Sequence, residues 1–262
     1  APIVDITSMM ELLDWTIGVD TFLRTGNPEQ IFDLADDKSR FYHKDPGYHV
    51  IRNFSGALNN LNMHIETVRG PEINEKVIKV LDNYPKLEKH KTGVFPQFEK
   101  LIEKIEDKLS YFSHDEIENA LGSVIWAFKH GLYQQSITLL EEHIISIIAK
   151  KLGVDTLDKD NRMIISQLLQ QKIKEPSNEE SEKDKGNENA IKDLDELEKF
   201  LDELIKTYPE LKAFEKLATL RNDVNHAGLR KNYKKPETII KNIEEYIEEL
   251  KTFFEKAMEK TE

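Results

Sequence analysis

Three features of the sequence predict an all-α fold. Apolar residues recur at spacings of three and four along most of the chain, which is the period of an amphipathic helix. Glycine and proline are scarce, at 11 and 9 of 262 residues, so few positions interrupt such helices. No pair of segments shows the alternation of apolar and polar residues that indicates neighbouring strands. We therefore expect helices packed on helices, without a sheet.

Five helices are predicted in the first half of the chain, over residues 9–25, 28–37, 48–69, 72–83 and 98–112. The capping box Ser8-Met9-Met10-Glu11 opens the first helix, Gly26 stops it, and Pro85 breaks the fourth. From Ile51 to Val68 the apolar spacing is close to a heptad, which predicts a long helix packed against a helical partner. That partner is either another part of this chain or another subunit.

The second half predicts helices over residues 117–129, 132–151, 160–174, 191–204, 210–227 and 236–257. A second capping box, Ser113-His114-Asp115-Glu116, opens the first of them, and Gly228 stops the fifth. Residues 175–190 are strongly acidic and almost without apolar side chains, which predicts a disordered loop. We predict a helical connector over residues 1–110, followed by a helical domain over residues 111–262.

Composition narrows the class of protein. The absence of cysteine excludes disulfide frameworks, zinc ribbons and thiol nucleophiles, and fits a reducing cytoplasm. No apolar run approaches the roughly 18 residues that cross a bilayer, so we expect a cytoplasmic protein without a membrane partner. A formal charge of −12 argues against broad, nonspecific nucleic-acid binding but leaves room for a local basic groove. The chain opens with Ala1 and a strand-like Pro2 to Thr7, as expected for a piece of a longer protein.

Metal and cofactor chemistry finds no support in the sequence. Among the eight histidines, none pairs with another or with carboxylates at a spacing typical of metal sites. His114 fits a helix start, and His143 fits a charged helix face. A Gly-rich phosphate loop, a zinc-protease motif and a nucleophile elbow are also missing. We expect neither a metal nor a cofactor.

The motif that could carry chemistry is Arg221-Asn222-Asp223-Val224-Asn225-His226. Histidine can take and give a proton near neutral pH, and the arginine fork matches the oxygens of a phosphate. The two side chains together suit phosphodiester chemistry, although such a spacing also arises by chance in helical chains.

The stretch that begins with this motif is basic although the chain is acidic. Between Arg221 and Lys241 there are six cations and two anions. Tyr233 lies among them as a possible stacking platform for a base. Single-stranded RNA is therefore the expected partner, with a group of polar residues expected to contact it: Asn225, Arg230, Lys231, Tyr233, Lys234 and Lys235.

Helix geometry separates the two central residues. At about 100° per residue, Arg221 and His226 are offset by roughly 140°, whereas Arg221 and Asn225 nearly share a face. Either the helix loosens at His226 or the site is completed across a two-fold dimer. We expect a homodimer with both copies of the motif at its seam, and a monomer that is a poor enzyme.

Three segments in this order resemble a known family. Arg221-Asn222 followed by His226, before a long terminal helix, resembles the signature of HEPN ribonucleases. The segment from Tyr133 to Glu142 resembles the first core helix of that domain, including its acidic residue. The region from Asp5 to Asn27 is similar to the segment after the CARF sensor domain in CARF–HEPN effectors of type III CRISPR systems.

The resemblance implies a HEPN-like helical bundle with metal-independent endoribonuclease activity on single-stranded RNA, in CRISPR-linked antiviral defence. It implies that His226 is the general acid/base, that Arg221 stabilises charge on the phosphorus, and that Asn222 is a polar helper. In the family, an upstream CARF domain binds cyclic oligoadenylate, so we expect no such effector site in this chain. The alternative is a non-catalytic HEPN-like module that dimerises and binds RNA or a nucleotidyl-transferring partner.

Overall fold

The computed structural model describes residues 5–94, 99–174, 194–229 and 231–258, and every regular element in these ranges is a helix. The predicted all-α fold is confirmed. The helices are α1 (Thr7–Thr25), α2 (Glu29–Phe41), α3 (Pro46–Glu66), α4 (Gly70–Val94), α5 (Glu99–Leu109), α6 (Glu116–Lys129), α7 (Tyr133–Leu152), α8 (Lys159–Ile173), α9 (Leu194–Thr207), α10 (Phe214–Asn225) and α11 (Pro236–Met258). A 3-10 helix, Pro209–Ala213, precedes α10. The loop predicted near residues 175–190 lies outside the described residues.

The chain divides into two compact units, Ala1–Gln135 and Ser136–Glu262. The first unit holds α1 to α6, and the second holds nearly all of α7 together with α8 to α11. The division near residue 110 between a connector and a helical domain stays a prediction.

The first unit is built around α3 and α4. The predicted stripe on α3 is buried from Ile51 to Ile65, and the apolar residues Ile73, Val77 and Val80 of α4 are buried with it. The helical partner of α3 therefore lies in the same chain. Val68 does not belong to the stripe, because α3 ends at Glu66 and Val68 has a φ of 56°.

Three helix ends in the first unit differ from prediction. α1 begins at Thr7, whose N–H donates to the Asp5 carboxylate at 2.9 Å, so Ser8 is not its cap. α6 is capped by Asp115, which accepts from two backbone N–H groups, rather than by Ser113. Pro85 lies inside α4 instead of ending it. An internal proline costs about 3 kcal/mol, and burial of apolar residues before and after Pro85 offsets that cost.

In the second unit, α10 packs against α8, the 3-10 helix and α11, and α9 packs against α8 and the 3-10 helix. The predicted stripe on α11 is confirmed, since the following residues are buried: Ile243, Tyr246, Ile247, Leu250, Phe253, Phe254 and Ala257. Phe253 meets Tyr208 edge to face, with ring centroids 5.3 Å apart. Each large side chain buried in this way contributes about 1.5–3 kcal/mol to folding.

Candidate functional site

The candidate site lies on α10 and on the turn that follows. The residues that anchor α10 are apolar and buried: Phe214, Leu217, Ala218 and Leu220. Further along the helix, Arg221 is partly exposed, and Asn222 and Asn225 are exposed. Burial of one face of α10 thus holds these polar residues of the motif at the surface.

A left-handed turn ends α10 and carries His226. The helix ends at Asn225, and His226 is its C-cap residue. The N–H of Gly228 donates to the carbonyl of Asp223 at 3.0 Å. This is the hydrogen bond between the first and sixth residues of a Schellman motif. Ala227 and Gly228 have φ angles of 54° and 66°. The predicted stop at Gly228 therefore belongs to the turn, and the side chain of His226 is exposed.

Arg221 is held by a carboxylate from α7. Its Nε and Nη2 donate to Oε2 and Oε1 of Glu141 at 2.7 and 2.6 Å. Glu141 is 1% exposed, whereas the Arg221 side chain is 26% exposed. Two parallel, charge-assisted bonds of this kind fix the plane of the guanidinium. Glu141 lies in the segment from Tyr133 to Glu142 that resembles the first HEPN core helix, and this acidic residue is the partner of Arg221.

The fork leaves Arg221 able to bind a further acceptor. A guanidinium has five N–H donors, and the fork uses two of them. Hydrogen bonding to Glu141 raises the pKa of Arg221 above its ordinary value, so it stays a cation. Glu141 offsets part of that positive charge, but the donors of Nη1 can still meet a phosphate oxygen.

The backbone of His226 continues the helical pattern for one more residue. Its N–H donates to the carbonyl of Asn222 at 3.0 Å, and its carbonyl accepts from Leu229 at 3.0 Å. The contact that the structure records for the guanidinium of Arg221 is with Glu141, as the helical offset between Arg221 and His226 leads one to expect. Completion of the site across a dimer stays a prediction.

The basic segment, residues 229–235, follows the turn, and several of its described side chains are exposed. Lys231 and Lys235 are exposed, and Tyr233 is 64% exposed. Leu229 is 89% exposed at the start of the same segment. Arg230 lies outside the described residues. The segment can therefore offer cations and an aromatic face to a ligand.

Lys234 differs from its neighbours because it is half-buried. Its backbone N–H donates to Oδ2 of Asp223 at 3.3 Å. Its Nζ donates to the side-chain oxygen of Asn242 at 2.7 Å, with the Asn242 amide oriented so that its nitrogen donates to the carbonyl of Thr238. Lys234 therefore fastens the basic segment to α10 and α11, and its ammonium group already has a partner.

A second arginine binds the next residue of α7. Arg162 donates to the Glu142 carboxylate and also to the Ser146 hydroxyl and the Thr156 carbonyl, at 2.9 and 2.7 Å. His143 directly follows the two glutamates and is buried, so its predicted position on a charged face is wrong. Burial, with the charge of Arg162, lowers the pKa of His143 to about 4.

Two residues of the site are missing from the set expected from sequence. Glu141 lies four residues after Ile137 and three before Ile144, on the buried stripe of α7. Asp223 lies three residues after Leu220 and is 3% exposed. An acid at an apolar position of a helical stripe is the signal for a buried carboxylate that needs a partner.

Two further observations concern metals and membranes. In the described ranges, no group of three or more His, Asp or Glu side chains is arranged to hold a metal ion. The same ranges contain no helix with the length and apolar character that a membrane crossing requires.

Residues 11–115 match the family model of the CRISPR-associated protein MJ1674, second domain. This segment covers most of the first unit and supports a CRISPR-linked function. The match does not extend to residues 116–262, which include α7, α10 and His226. No curated protein matches the chain.

Proposed function

We propose that the chain is a metal-independent endoribonuclease of the HEPN type that cleaves single-stranded RNA in CRISPR-linked defence. The observation that carries the proposal is the arginine of the motif, oriented by a buried glutamate and followed by an exposed histidine at the helix end. Arg221 has donors left for a phosphate, and His226 is open to solvent. A proton-transfer group and a fixed cation supply the general acid–base and electrostatic catalysis that suit phosphodiester transfer.

In the proposed reaction, the ribose 2′-oxygen attacks the adjacent phosphorus and the bond from phosphorus to the 5′-oxygen breaks. The products are a 2′,3′-cyclic phosphate and a 5′-hydroxyl. His226 takes the proton from the 2′-hydroxyl as general base and gives it, as general acid, to the 5′-oxygen that leaves, which contributes about 10² to 10⁴ in rate. Arg221 stabilises the charge on the phosphorane oxygens. Asn222 is a polar helper at the exposed side of α10.

Substrate binding is assigned to Asn225 and the basic segment. Lys231 and Lys235 are exposed cations that can follow a phosphate backbone, and Tyr233 can stack on a base. Lys234 acts mainly by fastening the segment, because its ammonium group is bonded to Asn242. Local binding of this kind is compatible with an overall charge of −12.

The first experiment measures cleavage of labelled single-stranded RNA in EDTA by the wild type, His226→Ala and His43→Ala. His43 is an exposed histidine far from the motif in sequence and serves as the matched control. We expect cleavage by the wild type and His43→Ala, none by His226→Ala, and none of DNA of the same sequence. Equal cleavage by wild type and His226→Ala, or none by the wild type, overturns the proposal. Loss of cleavage in EDTA overturns the metal-independent mechanism.

The composite site has its own test. Arg221→Ala and His226→Ala are each expected to cleave RNA at least about 10²-fold more slowly than the wild type when tested alone. If the site takes Arg221 from one copy and His226 from the other, mixing the two variants restores one intact site in each mixed dimer. Activity that stays absent after exchange of subunits, verified by mass spectrometry, contradicts a site shared between copies.

A non-catalytic module that binds RNA or a protein partner is the second candidate. It is favoured by the burial of Glu141, which uses both of its oxygens on Arg221 and offsets part of its charge. On that reading, the pair holds α7 to α10. Tight RNA binding by the wild type without cleavage at high enzyme concentration supports this second candidate over the first.

A further inference from the structure

Asp223 is a buried carboxylate inside the motif, and the proposed reaction does not use it. It is 3% exposed and lies between Arg221 and His226 in sequence. A carboxylate out of water is costly unless hydrogen bonds satisfy it. The partners of Asp223 therefore indicate why a charged residue lies at this position.

Asp223 contacts the segment that follows α10 at two separate points. Its backbone carbonyl accepts from Gly228 at 3.0 Å and closes the turn that carries His226. Its Oδ2 accepts from the N–H of Lys234 at 3.3 Å, eleven positions along the chain. Asp223 thus contacts the chain both at the turn before the basic segment and at Lys234 near the end of that segment.

Two neighbouring contacts hold Tyr233 and Lys234, at the end of the basic segment, against the turn and α11. Tyr233 lies close to the turn, since its Cβ is 3.4 Å from the position that a Cβ on Gly228 would take, which is an ordinary van der Waals contact. Nζ of Lys234 bonds to Asn242 on α11 at 2.7 Å. The ring of Tyr233 nevertheless stays 64% exposed. The segment is therefore held at its backbone while its aromatic face remains open.

We propose that Asp223 is a positioning residue, which holds the basic segment at a defined place beside His226 so that a bound RNA strand presents its phosphate to the site. This inference rests on the proposed function for its catalytic consequence. Its structural part, the fastening of Lys234 by the Asp223 carboxylate, can be measured without any reaction. The expected effect of losing the carboxylate is weaker binding of RNA, because Tyr233 and Lys235 flank the fastened residue.

The structural part is tested by hydrogen exchange of the Lys234 amide in the wild type, Asp223→Ala, Asp223→Asn and Glu237→Gln. Loss of this part-buried hydrogen bond should speed exchange by about five- to tenfold in Asp223→Ala. Asp223→Asn keeps an acceptor and should stay near the wild type. Glu237→Gln removes an exposed negative charge nearby and serves as the electrostatic control. If Asp223→Ala does not fold, Asp223→Leu fills a similar space without an acceptor. Unchanged Lys234 exchange in the variant that folds overturns the inference.

The catalytic part is tested by steady-state cleavage of RNA with the same variants. Displacement of the segment should raise KM by roughly tenfold with little change in kcat. Simple loss of folded protein would lower the apparent kcat and leave KM unchanged, so that result contradicts a positioning role. RNA binding should also lose about 0.7 of its logarithmic salt slope for each phosphate contact that is lost. That slope is measured in the His226→Ala background, where binding is separated from cleavage.

The two proposals fail in different ways. If the wild type does not cleave RNA but Asp223→Ala speeds Lys234 exchange and reduces the salt slope, the ribonuclease proposal is wrong and the fastening role stands. If the wild type cleaves RNA and Asp223→Ala changes neither exchange nor KM, the ribonuclease proposal stands and the role of Asp223 is wrong.

Discussion

Two adjacent glutamates of α7 bind two arginines in different ways. Glu141 is 1% exposed and gives both oxygens to Arg221, and this fork is the contact recorded for that guanidinium. Glu142 is 40% exposed, and its partner Arg162 also donates to the Thr156 carbonyl and a serine hydroxyl. Arg162 has most of its donors used within the fold, whereas Arg221 is oriented but keeps donors for a ligand. The same pairing of residue types thus fits a structural role in one case and a functional role in the other.

The largest expected effect is the difference in RNA cleavage rate between variants of Arg221 and variants of Arg162. Arg221→Ala should lower the rate of RNA cleavage by about 10² to 10³, because it removes a donor to the charged transition state. Arg221→Lys should not restore the rate, since lysine cannot make the two-pronged contact with Glu141. Arg162→Ala is the matched control and should keep the rate per folded molecule. Initial rates, corrected for the folded fraction by circular dichroism, check the comparison. Equal losses in Arg221→Ala and Arg162→Ala would remove the functional distinction.

Replacement of the two glutamates should lower the stability of the protein by different amounts. Glu141→Ala removes a buried partner of Arg221 and should lower the free energy of unfolding by about 3 kcal/mol. Glu142→Ala breaks a partly exposed pair and should cost about 1 kcal/mol or less. Urea unfolding of both variants at pH 7 measures the difference. The double variant Glu141→Ala with Arg221→Ala should be less destabilised than the sum of the single changes. Additive losses would show that the two residues are not coupled.

His143 should make stability depend on pH, because its pKa is lowered to about 4 by burial and by Arg162. The unfolded chain takes up this proton near pH 6.5, whereas the folded chain does so near pH 4. The contribution of His143 to the free energy of unfolding is therefore fully present above pH 6.5. It falls between pH 6.5 and 4 and does not change further below pH 4. The contribution is up to roughly 3 kcal/mol.

Denaturant midpoints from pH 7.5 to 4.5 measure this slope in the wild type and in His143→Gln, which should show a smaller slope. Some slope should remain, because burial also lowers the pKa of His130 to about 4. Removing the charge of Arg162 should raise the pKa of His143 in an NMR titration. A pKa of His143 that is unchanged without Arg162 would show that burial alone accounts for the shift.

The smallest expected effect leaves both arginine pairs intact. Ala227 has a φ of 54°, a left-handed conformation that is unfavourable for any residue with a side chain. Ala227→Gly should therefore raise the free energy of unfolding by about 0.5–1 kcal/mol. Gly228→Ala should lower it, since Gly228 has a φ of 66° and lies against Tyr233. Thermal melts of the two variants should shift in opposite directions, and a shift of both downwards would contradict strain at Ala227.

Much of the helical architecture could be predicted because it follows from local periodicity. The stripe on α11 is buried as its spacing indicates, and Gly26 stops α1 with a φ of 75°. Helix ends were harder, since competing caps within a few residues have similar energies. Asp115 caps α6 in place of Ser113, and packing carries α4 through Pro85.

The candidate site was predictable in its chemical types but not in its contacts. Arg221, Asn222, Asn225 and His226 are polar at the end of an amphipathic helix, and that pattern is visible in the sequence. The partner of Arg221 lies 80 positions away, and Glu141 looks like one acid among 49 acidic residues. The fastening of Lys234 by Asp223 likewise depends on how the chain returns after the turn.

The sequence by itself determined an all-α chain, the apolar stripes that its helices bury and the position of the Arg221 to His226 motif, because each follows from residue type and helical period. The tertiary structure alone decided that α3 packs within its own chain, that Glu141 rather than Glu142 orients Arg221, and that Asp223 holds the basic segment. Adjacent glutamates differ by about 100° around a helix. The apolar stripe of α7 marks Glu141 as the buried one, but only the packing of the chain brings Arg221, rather than another cation, beside it.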